Sequence, residues 1–302
     1  MNLNLNRYLV GVILPLILYS MPAFSQDDLM KMLEEETEKD KKPDYTTATF
    51  KTTRLINGHS VENVAAGVLD FRISHRFGYV NGGAYELWGL DEASMRLGLD
   101  YGITKRLMIG IGRSTYQKQY DGFAKYKILR QSSGTRNMPI TMSAIGSIMY
   151  KSLKFDNPDR ENYYTSNLYY SGQLLIARKF SESFSLQVMP TIVHYNLVET
   201  ADTPNDLLSV GFGGRIKVSK RVSINAEYYY QLPDFKLPNT VNSLSLGVDI
   251  ETGGHVFQIY CTNSTGMTER TYICETTEEF FDGYIRLGFT ISRVFTIVKP
   301  KN

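Results

Sequence analysis

Four histidines, two cysteines and a scatter of serines are the side chains of this 302-residue sequence best suited to metal, acid–base or covalent chemistry. His59 stands in the turn Asn57-Gly58-His59-Ser60, close to Glu62. A metal or acid–base role there competes with the commoner one, a turn histidine held by local hydrogen bonds. His75 and His194 fall in the apolar phase of alternating segments, near strand ends, which suggests places at a membrane interface; His255 opens a segment just after Gly253-Gly254. No two histidines stand at i and i+2 on one strand face, so no pair has convincing metal-ligand spacing. A serine nucleophile needs a base in reach and a third group to orient it. Ser74 adjoins His75, but neighbours on a strand point to opposite faces; cross-strand partners such as Ser209 or Ser223 stay open. The two glycine pairs, 213–214 and 253–254, read as strand and turn glycine, not as a phosphate loop. The acidic run Asp156, Asn157, Asp159, Glu161 and Asn162 could hold calcium weakly, but it lacks an ordered twelve-position ligand pattern and reads as a solvated loop. The sequence therefore predicts no catalytic residues, no metal and no cofactor. Cys261 and Cys274, the only cysteines, are expected to form a disulfide in an oxidising compartment, with two unpaired thiols as the alternative.

The elements that would carry these residues begin after a leader. Arg7, the apolar run Leu9 to Leu18 and the small residues around Ala23-Phe24-Ser25 predict a signal peptide over 1–25. No other run of 18 or more apolar residues occurs, which excludes a bundle of membrane helices. Lys plus Arg (33) nearly balance Asp plus Glu (31), so nothing recommends a nucleic-acid partner. Asp27 to Lys42 is dense in charge and reads as a frayed or disordered lead-in. Thr46 to Ile56 is β-prone and stops at Asn57-Gly58, as an extra strand or a segment tucked against or inside a barrel mouth. Residues 26–66 are accordingly assigned to a periplasmic lead-in or plug and 67–302 to a barrel.

From Val68 onward apolar and polar residues alternate with period two, as in Leu69-Asp70-Phe71-Arg72-Ile73-Ser74 and Ser243-Leu244-Ser245-Leu246. Twelve strands are predicted: 67–77, 94–101, 106–116, 121–131, 138–149, 168–180, 183–197, 207–218, 221–231, 242–250, 255–262 and 283–295. Short turns take turns with mostly longer, polar connections such as Lys151 to Asn167 and Thr262 to Asp282. That order fits an all-β, up-and-down antiparallel transmembrane barrel with short turns on the periplasmic side. Hydrocarbon offers backbone groups no partner, so a closed sheet with one apolar face per strand is the form such a chain needs. Tyrosine is abundant, 21 residues, and Tyr163, Tyr164, Tyr169, Tyr170 and Tyr228 to Tyr230 are expected at one rim, with Phe180 and Phe184 at the other. A soluble β-sandwich would also alternate. Against it, Gly98, Gly110, Gly112, Gly211, Gly213, Gly247 and Gly288 share the phase of the charged residues, as small residues do when they relieve crowding inside a narrow barrel.

The polar phase would place Asp70, Arg72, Arg76, Arg96, Asp100, Lys125, Lys127, Arg215, Lys217, Glu227, Asp249, Glu251 and Arg286 in the lumen. Two interiors compete: a mildly positive pore that favours small anions, or an ion-paired, tyrosine-filled core that conducts poorly. Strand number does not decide between them.

The stretches Thr53-Arg54-Leu55-Ile56-Asn57-Gly58-His59-Ser60-Val61-Glu62 and Leu69 to Gly78 resemble a family of uncharacterised outer-membrane β-barrel proteins from Bacteroidota, from about Tyr45 to the C-terminus. The resemblance implies an outer-membrane barrel and transfers no catalytic residue. Within it, Arg54, Asn57, His59 and Glu62 are candidates for a plug or for docking a periplasmic protein. The expected function is a non-enzymatic outer-membrane barrel, a narrow channel or an accessory envelope component. Its expected partners are outer-membrane lipid and the barrel-insertion machinery, with small solutes or a periplasmic protein as further candidates. A lipid-modifying enzyme at the membrane surface and a soluble secreted all-β binding protein are the alternatives.

Overall fold

The computed structural model describes residues 29–32, 43–155, 159 and 161–299. The expected leader, most of the charged lead-in and part of the acidic run at 156–162 lie outside the described residues.

Among the described residues, twelve antiparallel strands close a barrel. In chain order they are β2 (Val68–Tyr79), β3 (Ala93–Gly102), β4 (Leu107–Ser114), β5 (Gln119–Leu129), β7 (Thr141–Lys151), β8 (Leu168–Lys179), β9 (Phe184–Tyr195), β10 (Asp206–Lys217), β11 (Val222–Gln231), β12 (Ser243–Thr252), β13 (His255–Thr262) and β14 (Arg286–Thr296). Every strand pairs with its neighbour in the chain, and β14 closes on β2 through pairs such as Thr290 with Ser74. Two further short strands, β1 (Asp44–Tyr45) and β6 (Ser132–Ser133), pair beside the short-turn end of the wall. The twelve expected strands match these bounds to within three residues. No described helix is long and apolar enough to cross a membrane; the strands do the crossing.

The alternation sets the two faces. Val188, Phe212 and Tyr228 are matched across β9, β10 and β11 and belong to the outward phase, while Gln187, Gly213 and Glu227 in the next row point inward. Apolar side chains such as Ile111, Phe212 and Ile259 remain exposed on the outside, whereas Arg72, Arg96 and Glu227 are buried within. This is the reverse of a water-soluble sheet, and a hydrocarbon surround is what makes it stable.

Several expectations need correction. Tyr169 and Tyr229 do not join the rim: both are buried in the lumen, where Tyr169 packs on Tyr195 and Tyr229 on Tyr272. Their neighbours Tyr164, Tyr170 and Tyr230 are exposed, as strand alternation requires. The connection after β13 is not a loop held out in solvent. It turns inward and forms a buried helix, α1 (Glu269–Cys274), started by a reciprocal capping box between Thr268 and Thr271. This explains why the expected disulfide does not form. Cys261 shares the outward phase of Phe257 and Ile259 on β13, while Cys274 is buried inside on α1, so the wall separates two free thiols.

Two outcomes follow. Lysine in place of Phe212, which lies near the middle of β10, should cost about 2–4 kcal/mol in reversible unfolding from lipid vesicles; a change below roughly 0.5 kcal/mol would contradict the lipid-facing assignment. Denatured without reductant, the protein should titrate two thiols with a maleimide reagent, and a count of zero would restore the disulfide.

Candidate functional site

The segment between β1 and β2 fills the lumen. Its hairpin is closed by Leu55 N–H donating to the Gly58 carbonyl (2.8 Å) and Ser60 N–H to the Thr53 carbonyl (3.0 Å), which makes Leu55 to Gly58 the tip. Asn57-Gly58 is the sequence signal for such a tip. Glycine is also needed there for space, since a Cβ at Gly58 would stand 2.1 Å from the Tyr229 hydroxyl. Gly213 on the wall makes room for Leu55 in the same manner: a Cβ on it would lie 2.3 Å from the leucine side chain.

A hairpin inside a barrel has no adjacent strands, so side chains of the wall must satisfy its backbone. Glu227 on β11 accepts the N–H groups of Ile56 (3.2 Å), Asn57 (3.3 Å) and Gly58 (2.9 Å). Lys125 on β5 donates to the carbonyls of Thr53, Ser60 and Glu62 at 3.4, 3.0 and 2.6 Å. Gln187 on β9 accepts from Val61 N–H and donates to the His59 carbonyl, and Gln258 on β13 donates to the Leu55 carbonyl. Asn57 donates to the Ser245 hydroxyl. Five strands of the wall therefore grip one hairpin through specific atoms.

The inward-folded connection meets the hairpin from the other end. Arg76 on β2 joins all three parts: it donates to Asn57 Oδ1 of the hairpin, to the Ser264 hydroxyl (2.9 Å) and to the Gly266 carbonyl. Glu269 of α1 lies 3.1 Å from His59 Nε2 and 3.7 Å from Arg54. Burial, and after it the charge of Arg54, pushes the His59 imidazole well below its ordinary value. Arg270 pairs with Glu275 (2.9 Å) and lies over the Tyr169 ring. Other wall charges find partners on the wall or the hairpin: Arg96 pairs with Asp121, Arg72 with Asp70 (3.6 Å) and Thr53 (3.1 Å), and Asp249 accepts from the Gln258 side chain.

The structure thus brings Asp70, Arg72, Arg76, Arg96, Asp100, Lys125, Glu227 and Asp249 together around the hairpin, all buried. Lys127 faces Glu62 at 3.8 Å. Arg215 and Lys217 lie toward the short-turn mouth, and Glu251 there pairs with Lys51. Arg286 departs from the group: the register slips between it and Gly288, and its guanidinium lies over the Tyr79 ring at the opposite rim. Of the other histidines, His75 stacks on Phe289, His255 neighbours Phe257, and His194 contacts Asp206 at 2.8 Å. Gln187, Gln258, Asp121, Glu269, Arg270 and Tyr272 escaped the sequence reading. The first two carried a legible sign, uncharged polar residues in the inward phase; the loop residues carried none, because nothing in their spacing shows which way a loop folds.

A closed barrel with an apolar belt and a filled polar interior defines a membrane-spanning β-barrel. Residues 50–295 match the family described as membrane bound beta barrel domain (DUF5777), and the chain belongs to that family, as a barrel of the outer membrane. No match is found among curated proteins. Among solved structures the chain is similar to the NanC porin (9% identity, 76% of this chain and 100% of that one, TM-score 0.48). It is also similar to the KdgM porin (10% identity, 76% and 99%, TM-score 0.46). An outer membrane channel from Pseudomonas putida F1 is a further similar structure (13% identity, 78% and 98%, TM-score 0.46).

Alanine in place of Glu227 leaves three N–H groups of the hairpin tip without an acceptor, which costs about 1–3 kcal/mol in docking. In folded protein, trypsin should then cut after Lys51 or Arg54 in the variant and spare the parent. Equal protection of both would show that the carboxylate does not hold the tip.

Proposed function

We propose that this protein is a non-enzymatic outer-membrane barrel closed at rest by its own N-terminal segment, so that solutes pass only when that segment leaves the lumen. The observation that carries the reading is the grip of Glu227 and Lys125 on opposite polar groups of one hairpin, three N–H groups and three carbonyls. Arg54, Asn57 and His59 act as plug residues on this reading, because burial leaves them no surface to offer a periplasmic partner. Glu62 extends the contact by facing Lys127 and accepting from Thr49 N–H (2.8 Å). The inward α1 adds a second closure from the end that carries the longer connections, which on this topology is the outer side.

The lipid-modifying reading finds little support in the same geometry. His194 is partly exposed on the outer wall beside Asp206, where a lipid substrate could reach it. The register puts Tyr170 and Asp206 on either side of it, so no serine stands opposite to be activated.

Conductance tests the plug. Deletion of residues 46–62 from the mature protein should raise single-channel conductance in planar bilayers severalfold over the parent, provided the variant keeps the heat-dependent gel mobility of a folded barrel. Unchanged conductance in a folded variant would remove the plug reading.

A further inference from the structure

At the short-turn mouth the plug stem and the wall leave a solvent-open cleft between Ala48 and Lys51 on one side and the ends of β8, β10 and β11 on the other. Its lining is cationic: Lys51, Lys179, Arg215, Lys217, Lys220 and Arg221 against the single carboxylate Glu182. Two of these cations are already paired, Lys179 with Glu182 (2.7 Å) and Lys51 with Glu251. Lys217, Lys220 and Arg221 have no carboxylate within ion-pair reach among the described residues.

Arg215 is the telling member. Its residue is 4% exposed, it lines the cleft, and its Nε has no hydrogen-bond partner. No described carboxylate lies within ion-pair reach of its guanidinium; Glu62, Asp249 and Glu182 act on it only from farther away. Ser185, its register partner on β9, is fully buried with a hydroxyl that also lacks a partner. A buried guanidinium without an anion is costly, and the planar fork of arginine is matched to oxyanions. All the other buried arginines described above have found an acceptor, an acid or a ring.

We propose that this cleft is a binding site for a tetrahedral oxyanion of the phosphate class, held by Arg215 and Lys217 from the wall and by Lys220 and Arg221 from the β10–β11 turn. Lys51 brings the plug stem to the same site, so a bound anion touches both wall and stem. The group can reach it as free phosphate or as the headgroup of a phospholipid, since the mouth opens at the membrane surface. The site stands apart from the plug reading: it concerns binding by the closed barrel and needs no conduction.

The test is titration of inorganic phosphate, at constant ionic strength set with chloride, into the full mature protein in a sugar-based detergent free of phosphate. Calorimetry should show saturable binding that weakens about tenfold or more in Arg215→Gln and in the paired variant Lys217→Gln/Lys220→Gln, with Lys236→Gln on the outer connection as the unaffected control. Should the site arrive filled by lipid, phosphorus NMR of the purified protein should show a retained phospholipid that Arg215→Gln loses, which supports the same site with a lipid source. Absence of both signals, or equal phosphate affinity in parent and variants, overturns the proposal. If Arg215→Gln loses the gel mobility of a folded barrel, the paired variant, whose residues are more exposed, decides the outcome.

Discussion

A length of chain without strand partners can enter a closed barrel only where the wall supplies the hydrogen bonds that a sheet or water would otherwise provide. The hairpin at Leu55 to Gly58 satisfies that constraint with four polar side chains from different strands, Glu227, Lys125, Gln187 and Gln258. Each reaches atoms of the backbone, so the grip depends little on the side chains of the tip and strongly on its position. The glycines of the inner wall serve the same fit. A methyl group at Gly213 would collide with Leu55, and one at Gly211 would press on Tyr229 and Met189.

Charge follows from the same enclosure. Ionised groups withdrawn from water are tolerated when each meets an opposite charge or several oriented dipoles. Arg96 has Asp121, Arg76 has carbonyls and a hydroxyl from the outer connection together with Asn57, and Glu227 has three N–H groups. The wall, the hairpin and the inward-folded connection are therefore one polar network, and Arg76 joins all three. Loosening one of them would leave charges that the other two satisfy without their partners. Arg215 lies beyond that network at the mouth, which is why its want of a partner stands out.

The two ends of the lumen are closed by different means. At the short-turn end, β1 pairs with β6 and Thr46 N–H donates to the Gln131 carbonyl at 2.9 Å, tethering the start of the inserted segment to the rim. At the other end α1 is covalently continuous with β13 and β14, reaches the hairpin through Glu269 on His59, and packs on the wall through Tyr272 against Tyr229. On the proposed plug reading, a hairpin tethered at its base and gripped at its tip keeps its place at the mouth when the tip is released.

The two-residue rhythm by itself determined the strands, their number, the alternating short and long connections and which face each side chain takes, because period two is a local property of extended chain. Asn57-Gly58 likewise announced a turn. What only the tertiary structure decided was where segments without that rhythm go. Nothing local distinguishes a loop that waves in solvent from one that folds back into a lumen, so α1, Glu269 and the inward Tyr272 were not legible. Cys261 and Cys274 show the same limit: twelve intervening residues would allow a disulfide, but the outward phase of one and the inward fold of the other put a barrel wall between them. Partner choice is set by distance across the lumen, a quantity fixed by barrel closure and absent from any stretch of residues read in order.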